Sequence, residues 1–551
     1  MSRRKAAPTL PKVCGGDLEL GNFIAGTERF GGTGPEASRI LLQALAEVTD
    51  GVPADPWLRG AGGRVGGGAA FGRFNPQDSG RVFLPCNGGC AYIDLDHLEL
   101  CLPEVVSAYD HVAAWHAMLR LAQAALAHAN ADRSPDRRVE VLVNNSDGQG
   151  NSYGGHLNIL LARAAWEGVM HRRLHHLAFL ASYQASSLLF TGQGKVGSEN
   201  DAPAPPTNYQ ISQRADFIET LLGPQTTFYR PLVNTRDEPH SDQGRLHLIS
   251  FDSTLAQTAC LLRVGVTQMV LALIEADRVN PRLALDDPLA ALHDWSHDPG
   301  LRRKARLVSG RRVTAVEHQM LLLEEARRFE ARGGFQGIVP RAGEMLDLWQ
   351  DTLERLARRD WAVLARRLDW VMKLAILERA LAQRPDLTWT APEVQHLDQL
   401  YGGLDPGSGL FWAWSRSGLV DEVVPPERIR HFCEEPPADT RAWGRAMLLR
   451  QAGPDPVRRV DWDSIEFRLF PRRGRSGLRR IRMPNPLGAN RREWGARFAP
   501  APDLEELLEG LGAEPGLPAL GYRVGPGPVR VAGLIGTGPA ITIRQHGGQH
   551  E

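Results

Sequence analysis

Apolar and polar positions alternate over residues 13–25, VCGGDLELGNFIA, which predicts a first strand with one buried face. Residues 51–80 break that order; they are crowded with Gly, Pro and Asp and read as a mobile loop. A second strand follows and carries YIDLDHLE at 92–99. The pattern then predicts a helix over 104–130, a strand over 139–145 (VEVLVNN), a glycine-rich turn, and a helix in LNILLARAAWEGVMHRR (157–173). Segment 225–251 reads as paired strands around NTRDEPHSDQGR, and helical periodicity returns over 254–276, 314–333 and 346–384. Strands early and long helices to cover them predict an α+β fold. The pattern changes near PPERIR (425–430): residues 431–513 mix helix and strand, ending in the amphipathic DLEELLEGLG. The expected organisation is a main domain over 13–430, a small C-terminal domain over 431–513 and an appended β-prone tail over 514–551.

Charge removes one class of partner. The 551 residues carry 64 basic and 64 acidic side chains, for a formal net charge of zero, so no general basic field exists to hold nucleic acid. The start, MSRRKAAPTLPK, lacks the apolar centre of a signal peptide. No uninterrupted apolar stretch reaches the roughly 18–20 residues that cross a bilayer. Six cysteines are sparse for this length and argue for free thiols. The expectation is a soluble cytoplasmic protein with neither a nucleic-acid nor a membrane partner.

Four stretches carry chemistry. In GGDLELG, Asp17 and Glu19 are two apart on a strand and project from one face, where a hard cation such as Mg2+ would relieve their repulsion; a solvated edge strand is the plainer alternative. In YIDLDHLE, Tyr92 and Asp94 share a face, and Glu99 can swing in after the strand bends, leaving one carboxylate free to act as base or nucleophile. NNSDGQGNSYGGHLN (144–158) has glycines for close backbone approach and a dense set of donors including His156, yet it matches neither a P-loop nor a dinucleotide fingerprint. In RPLVNTRDEPHSDQGRLHLISFD (230–252), Arg236 and Arg245 suit phosphate oxygens, and His247 shares a strand face with Arg245.

Taken in order, YIDLDHLE, NNSDGQGNSYGGHLN, SQRADFIE (212–219), RPLVNTRDEPHSD, RLDWVMK (367–373), PPADTRAW (436–443) and WDSIEF (462–467) resemble the Dop/PafA family over roughly 13–513. These are the Pup deamidase/depupylase and the Pup ligase, relatives of glutamine synthetase. The resemblance implies a glutamine-synthetase-like curved antiparallel sheet cradling ATP (or ADP plus phosphate) and Mg2+, backed by helices. It implies Asp17, Tyr92, Glu99, His156 and His247 at metal positions and Asp94 as the catalytic aspartate. Arg245, Trp462, Cys101 and Leu102 fall at ATP contacts, with Glu19 and Arg236 as further candidates. The implied partner is a Pup-like or other small protein modifier and its conjugates, with a link to a bacterial proteasome.

Spacing chooses between the branches. Asp94-Leu-Asp-His-Leu-Glu99 has the D-x-x-H-x-E length of the Dop branch, and the ligase branch has one residue more. RADFIE also resembles the Dop form, while NSYG leans towards the ligase. The family's first acidic ligand is Glu where this chain has Asp17; Leu98 replaces a proline, Leu157 a glutamate, and Cys90 an arginine. The expected activity is a nucleotide- and Mg2+-dependent amidase that hydrolyses a C-terminal Gln amide or a Glu–lysine isopeptide bond of the modifier. The alternatives are an ATP-consuming isopeptide ligase and a decayed nucleotide-binding paralogue. The tail carries Gly547-Gly548-Gln549, a short echo of the end of Pup.

Overall fold

The computed structural model describes residues 10–27, 33–53, 80–237, 243–469, 477–499 and 503–516. The glycine-rich loop between 54 and 79, residues 238–242 of NTRDEPHSD and the tail from 517, with its Gly-Gly-Gln, lie outside them.

The alternation read at the start of the chain builds the centre of the fold. Strand β1 (Cys14–Ile24) sits inside an eight-stranded sheet with β2 (Val52–Pro53), β3 (Val82–Phe83), β4 (Cys90–Asp94), β5 (His97–Cys101), β6 (Val139–Leu142), β7 (Gly155–Ala162) and β8 (Gln243–Leu248). The order is β8-β7-β1-β5-β4-β3-β2, with β6 pairing the far end of β1, and every pairing is antiparallel. Cross-strand register (Leu18 opposite Leu100, Leu20 opposite Leu98) puts the apolar side chains of neighbouring strands on one face. Leu18, Leu20, Leu98, Leu100, Leu157, Ile159, Leu246 and Leu248 are all buried there.

Helices α1 (Gly34–Val48), α2 (Ala108–Ala129) and α3 (Gln257–Glu275) cover that face in one continuous core. Helix α3 is long and apolar enough to cross a membrane, but it is wholly buried inside the fold and is its core helix. The α+β class and the helix-backed cradle expected from the motifs are what the chain adopts.

Three local expectations fail. LNILLA is strand β7, not helix; β7 lies between β1 and β8 with apolar residues on both faces, so its continuous apolar run hides the two-residue period. Segment 225–251 does hold two strands, yet they do not pair with each other: Arg230–Asn234 runs parallel to Ile218–Gly223, while β8 joins the large sheet. YIDLDHLE is not one bending strand but a tight hairpin, in which Asp94 faces His97 across a turn at Leu95 and Asp96. Leu95 takes φ +50 in that turn, a conformation usually left to Gly or Asn.

At the C-terminal end, helix α4 (Arg441–Ala452) leads into a small antiparallel sheet of β9 (Val457–Asp461), β10 (Ser464–Leu469), β11 (Gly477–Arg482) and β12 (Glu514–Pro515). Its core includes Ile465 and Phe467 and is shared with Phe83, Cys90, Tyr92 and Cys101 of the large sheet. The small sheet therefore packs against the non-helical face and walls one side of it.

Candidate active site

The same register that collects leucines on one face collects ionisable groups on the other. Asp17 stands opposite Cys101 on β5 and His156 on β7; Glu19 stands opposite Glu99, which itself faces Tyr92 on β4. One row further lie His97 and Asp94. Arg245 and His247 of β8 complete the row beyond β7. These residues line a cavity of about 1710 Å3 whose wall also contains Leu102, Arg236 and Trp462. Every site residue singled out from the sequence thus reaches one cavity.

Two groups of ligand atoms stand within 4.8 Å of one another: Asp17, Glu99 and His156, and Glu19, Asp94 and Glu99. Glu99 is common to both. Burial sets the electrostatics. It raises the Asp17 and Glu99 carboxyls, Glu99 far above its ordinary value, and pushes Glu19 up to about 7 despite the opposing pull of Arg214. It also holds both histidines neutral, His156 lowered to about 3 and His247 well below its usual range, with neighbouring positive charge adding to the effect. Neutral imidazoles beside carboxyls that resist ionisation form a set of ligands that a bound cation would let ionise. Oxygen-rich ligands with a tyrosine and imidazoles at the edge fit Mg2+.

Several partners fix this geometry. Asn158 donates from Nδ2 to Asp17 at 2.8 Å, and its Oδ1 accepts from Arg245 (2.8 Å) and from His247 Nδ1 (2.7 Å). An amide oxygen can only accept, so His247 carries its proton on Nδ1 and leaves Nε2 free as a ligand. The Gly154 N–H donates to Glu19, and a Cβ on Gly154 would run into the His156 ring, so a side chain there would displace that imidazole. Asn22 clamps the hairpin: Nδ2 donates to the carbonyls of Asp96 (3.0 Å) and Gly34 (2.9 Å), and Oδ1 accepts from Leu98 N–H (3.0 Å). Asp94 therefore stands at the end of a braced turn.

The far wall is aromatic. Trp462 packs edge-on against Phe83 at 5.6 Å and lies under the Arg445 guanidinium at 4.8 Å, which is paired with Glu104 at 2.6 Å. Leu102 reaches the cavity, but its N–H is committed to the Gly16 carbonyl (2.9 Å) and its side chain is buried, which leaves its carbonyl as the group to offer. Arg236 is exposed at the rim. Cys90 and Cys101 are buried free thiols, cross-strand neighbours on this face.

Sequence reasoning passed over Asn158, Asn22, Arg214 and Arg230. Asn158 was visible as the polar residue two after His156, hence on the same strand face. Arg214 and Arg230 lie inside motifs already noted, but their burial, 1% and 9% exposed, had no signal in an arginine-rich chain.

An antiparallel sheet with an acidic, histidine-bearing face and helices behind it has the make-up of a cradle for a cation and an anionic ligand. Comparison with known proteins narrows the class. Residues 59–466 match the family model of the Pup-ligase protein. The chain is 37% identical over 429 residues to a depupylase of Acidothermus cellulolyticus (77% of this chain, 82% of the relative). It is 36% identical over 382 residues to a Pup–protein ligase of Acidimicrobium ferrooxidans (68% and 80%). The solved complex of Pup with its ligase PafA superposes with a TM-score of 0.71 at 25% identity, covering 91% of each chain; the ligase with ADP gives 0.65 at 27%, covering 80% of this chain and 92% of the ligase. The chain belongs to the family of Pup ligases and Pup deamidase/depupylases.

Proposed function

We propose that this chain is an ATP- and Mg2+-dependent amidase that hydrolyses the C-terminal glutamine amide, or the glutamate–lysine isopeptide bond, of a Pup-like small protein modifier. The observation that carries the reading is the placement of Asp94, on a braced hairpin with its carboxylate within 4.8 Å of ligand atoms of Glu19 and Glu99. In this reading Asp17, Tyr92, Glu99, His156 and His247 hold Mg2+, with Glu19 beside them. Arg245 and Arg236 face the nucleotide phosphates, and Cys101, Leu102 and Trp462 line the remaining nucleotide wall. The metal, when bound, supplies charge that polarises the γ-carbonyl of the scissile amide. Asp94 either attacks that carbon or takes a proton from the attacking water, and the amine leaves as ammonia or as a lysine side chain. The reading places the enzyme in the cytoplasm, in a pathway linked to a bacterial proteasome.

A second reading, ATP-consuming ligation, draws on NSYG and on the ligase relative, almost as similar as the depupylase. The short Asp94–Glu99 hairpin supports hydrolysis, because one added residue would re-aim the side chains that follow it. Incubation with Mg-ATP and a synthetic peptide ending in Gly-Gly-Gln, read by mass spectrometry, tests the choice. The expected result is conversion of Gln to Glu, abolished in Asp94→Asn. Adduct formation from a Gly-Gly-Glu peptide and a lysine-bearing protein, with matching ATP loss, would instead assign the ligase reaction. Absence of Mg-ATP binding would mark a decayed site.

A further inference from the structure

Arg81 brings to the wall carrying Trp462 a guanidinium that the fold leaves without a close partner. It precedes β3, where Phe83 stands opposite Cys90 and packs on the non-helical face; two residues earlier on the chain, Arg81 leaves the sheet on that same face. Its guanidinium lies 5.1 Å over the Tyr92 ring, lines the cavity, and belongs to a side chain only 15% exposed. Its Nε is buried with no acceptor. Among the described residues its ion-pair partner is Asp461, at 3.7 Å, too far for a hydrogen bond. Asp461 is 43% exposed and accepts instead from the Trp462 N–H at 2.8 Å. Arg445, which also lies against Trp462, is by contrast bonded to Glu104 at 2.6 Å. A mostly buried guanidinium with one long pair gains from any anion that reaches it.

Position indicates which anion. Arg81 acts electrostatically on Cys90, Cys101 and Asp17. Arg245 acts on Asp17 as well, but from β8, two strands to one side of β1, whereas β3 lies three strands to the other. The acidic row is thus flanked by a guanidinium at each end, and the Arg81 end is the one walled by Trp462. Cys90 is also where this chain departs from the resemblance by lacking an arginine, and Arg81 returns that charge from the adjoining strand. The argument rests on the nucleotide reading of this wall: a phosphate chain running from Trp462 to the metal ligands passes Arg81. We infer that Arg81 binds that phosphate chain, taking over from an arginine at position 90 and giving up Asp461 when nucleotide arrives. Guanidinium forks suit phosphate oxygens, and the Tyr92 ring beneath keeps this one aimed into the cavity.

Calorimetric titration of the full chain with Mg-ATP tests this independently of turnover. Arg81→Met should weaken binding about thirtyfold, the low end for loss of one partner of a buried charge pair. Asp461→Asn, which keeps the acceptor for the Trp462 N–H, should bind as tightly as the wild type or more tightly. Adding Cys90→Arg to Arg81→Met supplies the charge from β4 instead and should recover most of the loss. Unchanged affinity in Arg81→Met would overturn the inference and leave the nucleotide reading standing. Equal losses in Arg81→Met and Asp461→Asn would also overturn it, because the pair would then be a strut between the two sheets. A folded double variant that recovers nothing would overturn the exchange of positions. No binding of Mg-ATP by the wild type would defeat the nucleotide reading itself. If the double variant does not fold, the two single variants still decide.

Discussion

The two faces of the large sheet are made by the same strands and obey opposite rules. On the helical face Leu18, Leu20, Leu98 and Leu100 meet across strands and are sealed in the core. On the other face, one residue away in each strand, Asp17, Glu19 and Glu99 meet across the same strands, and burial keeps their carboxyls from ionising normally. One face supplies the folding free energy and the other gives part of it up. Stability and function are thus separated by side-chain parity alone, and a single substitution tests one without the other.

The sharpest contrast is Leu18→Ala. It should destabilise the protein by about 3–5 kcal/mol with the Mg2+ response of the surviving fold intact, measured by denaturant melts with and without Mg2+. Next comes pH. Glu19 is raised from an ordinary 4.5 to about 7, so its protonated form favours the folded state; that contribution is whole below about 4.5 and lost as pH rises through about 7. Between about pH 4.5 and 7.5 the metal-free wild type should therefore lose about 3 kcal/mol relative to metal-free Glu19→Gln, a difference that Mg2+ suppresses. Identical pH dependence of the two metal-free proteins in denaturant melts would refute this.

Asn158→Ala removes the shared partner of Asp17, Arg245 and His247. It should weaken Mg2+ about 10- to 100-fold in a calorimetric titration, with melting of the metal-free protein changed far less. The smallest effect is a gain: Glu99→Gln should stabilise the metal-free fold by about 1 kcal/mol while abolishing the Mg2+-induced rise in melting temperature. A loss of stability would mean that the acidic face is satisfied without a cation.

Parity is also what made this site legible. Alternation in GGDLELG placed Asp17 and Glu19 on one face, and the Tyr92/Asp94 and Arg245/His247 pairs followed by the same rule. Where a period was masked the reading failed. In β7, Leu160 stands on the polar face while its neighbours Ile159 and Leu161 are buried, so LNILLA looked helical. The hairpin was hidden because Leu95 occupies a left-handed turn position where Gly or Asn would have announced it. Glu99 accordingly reaches the site by chain reversal rather than by a bend. Arg214, Arg230 and Asn22 matter through partners distant in sequence, which no local pattern records.

The wall carrying Trp462 has a consequence for how the molecule comes into being. Strands β1, β4 and β5 leave the ribosome early, but the side of the cavity against Phe83, Cys90 and Cys101 is supplied by residues beyond 441. A nascent chain can assemble the leucine face long before this pocket has its last side. If this wall holds nucleotide as proposed, competence to bind it is acquired near the end of synthesis, and a chain truncated before residue 441 is expected to bind none.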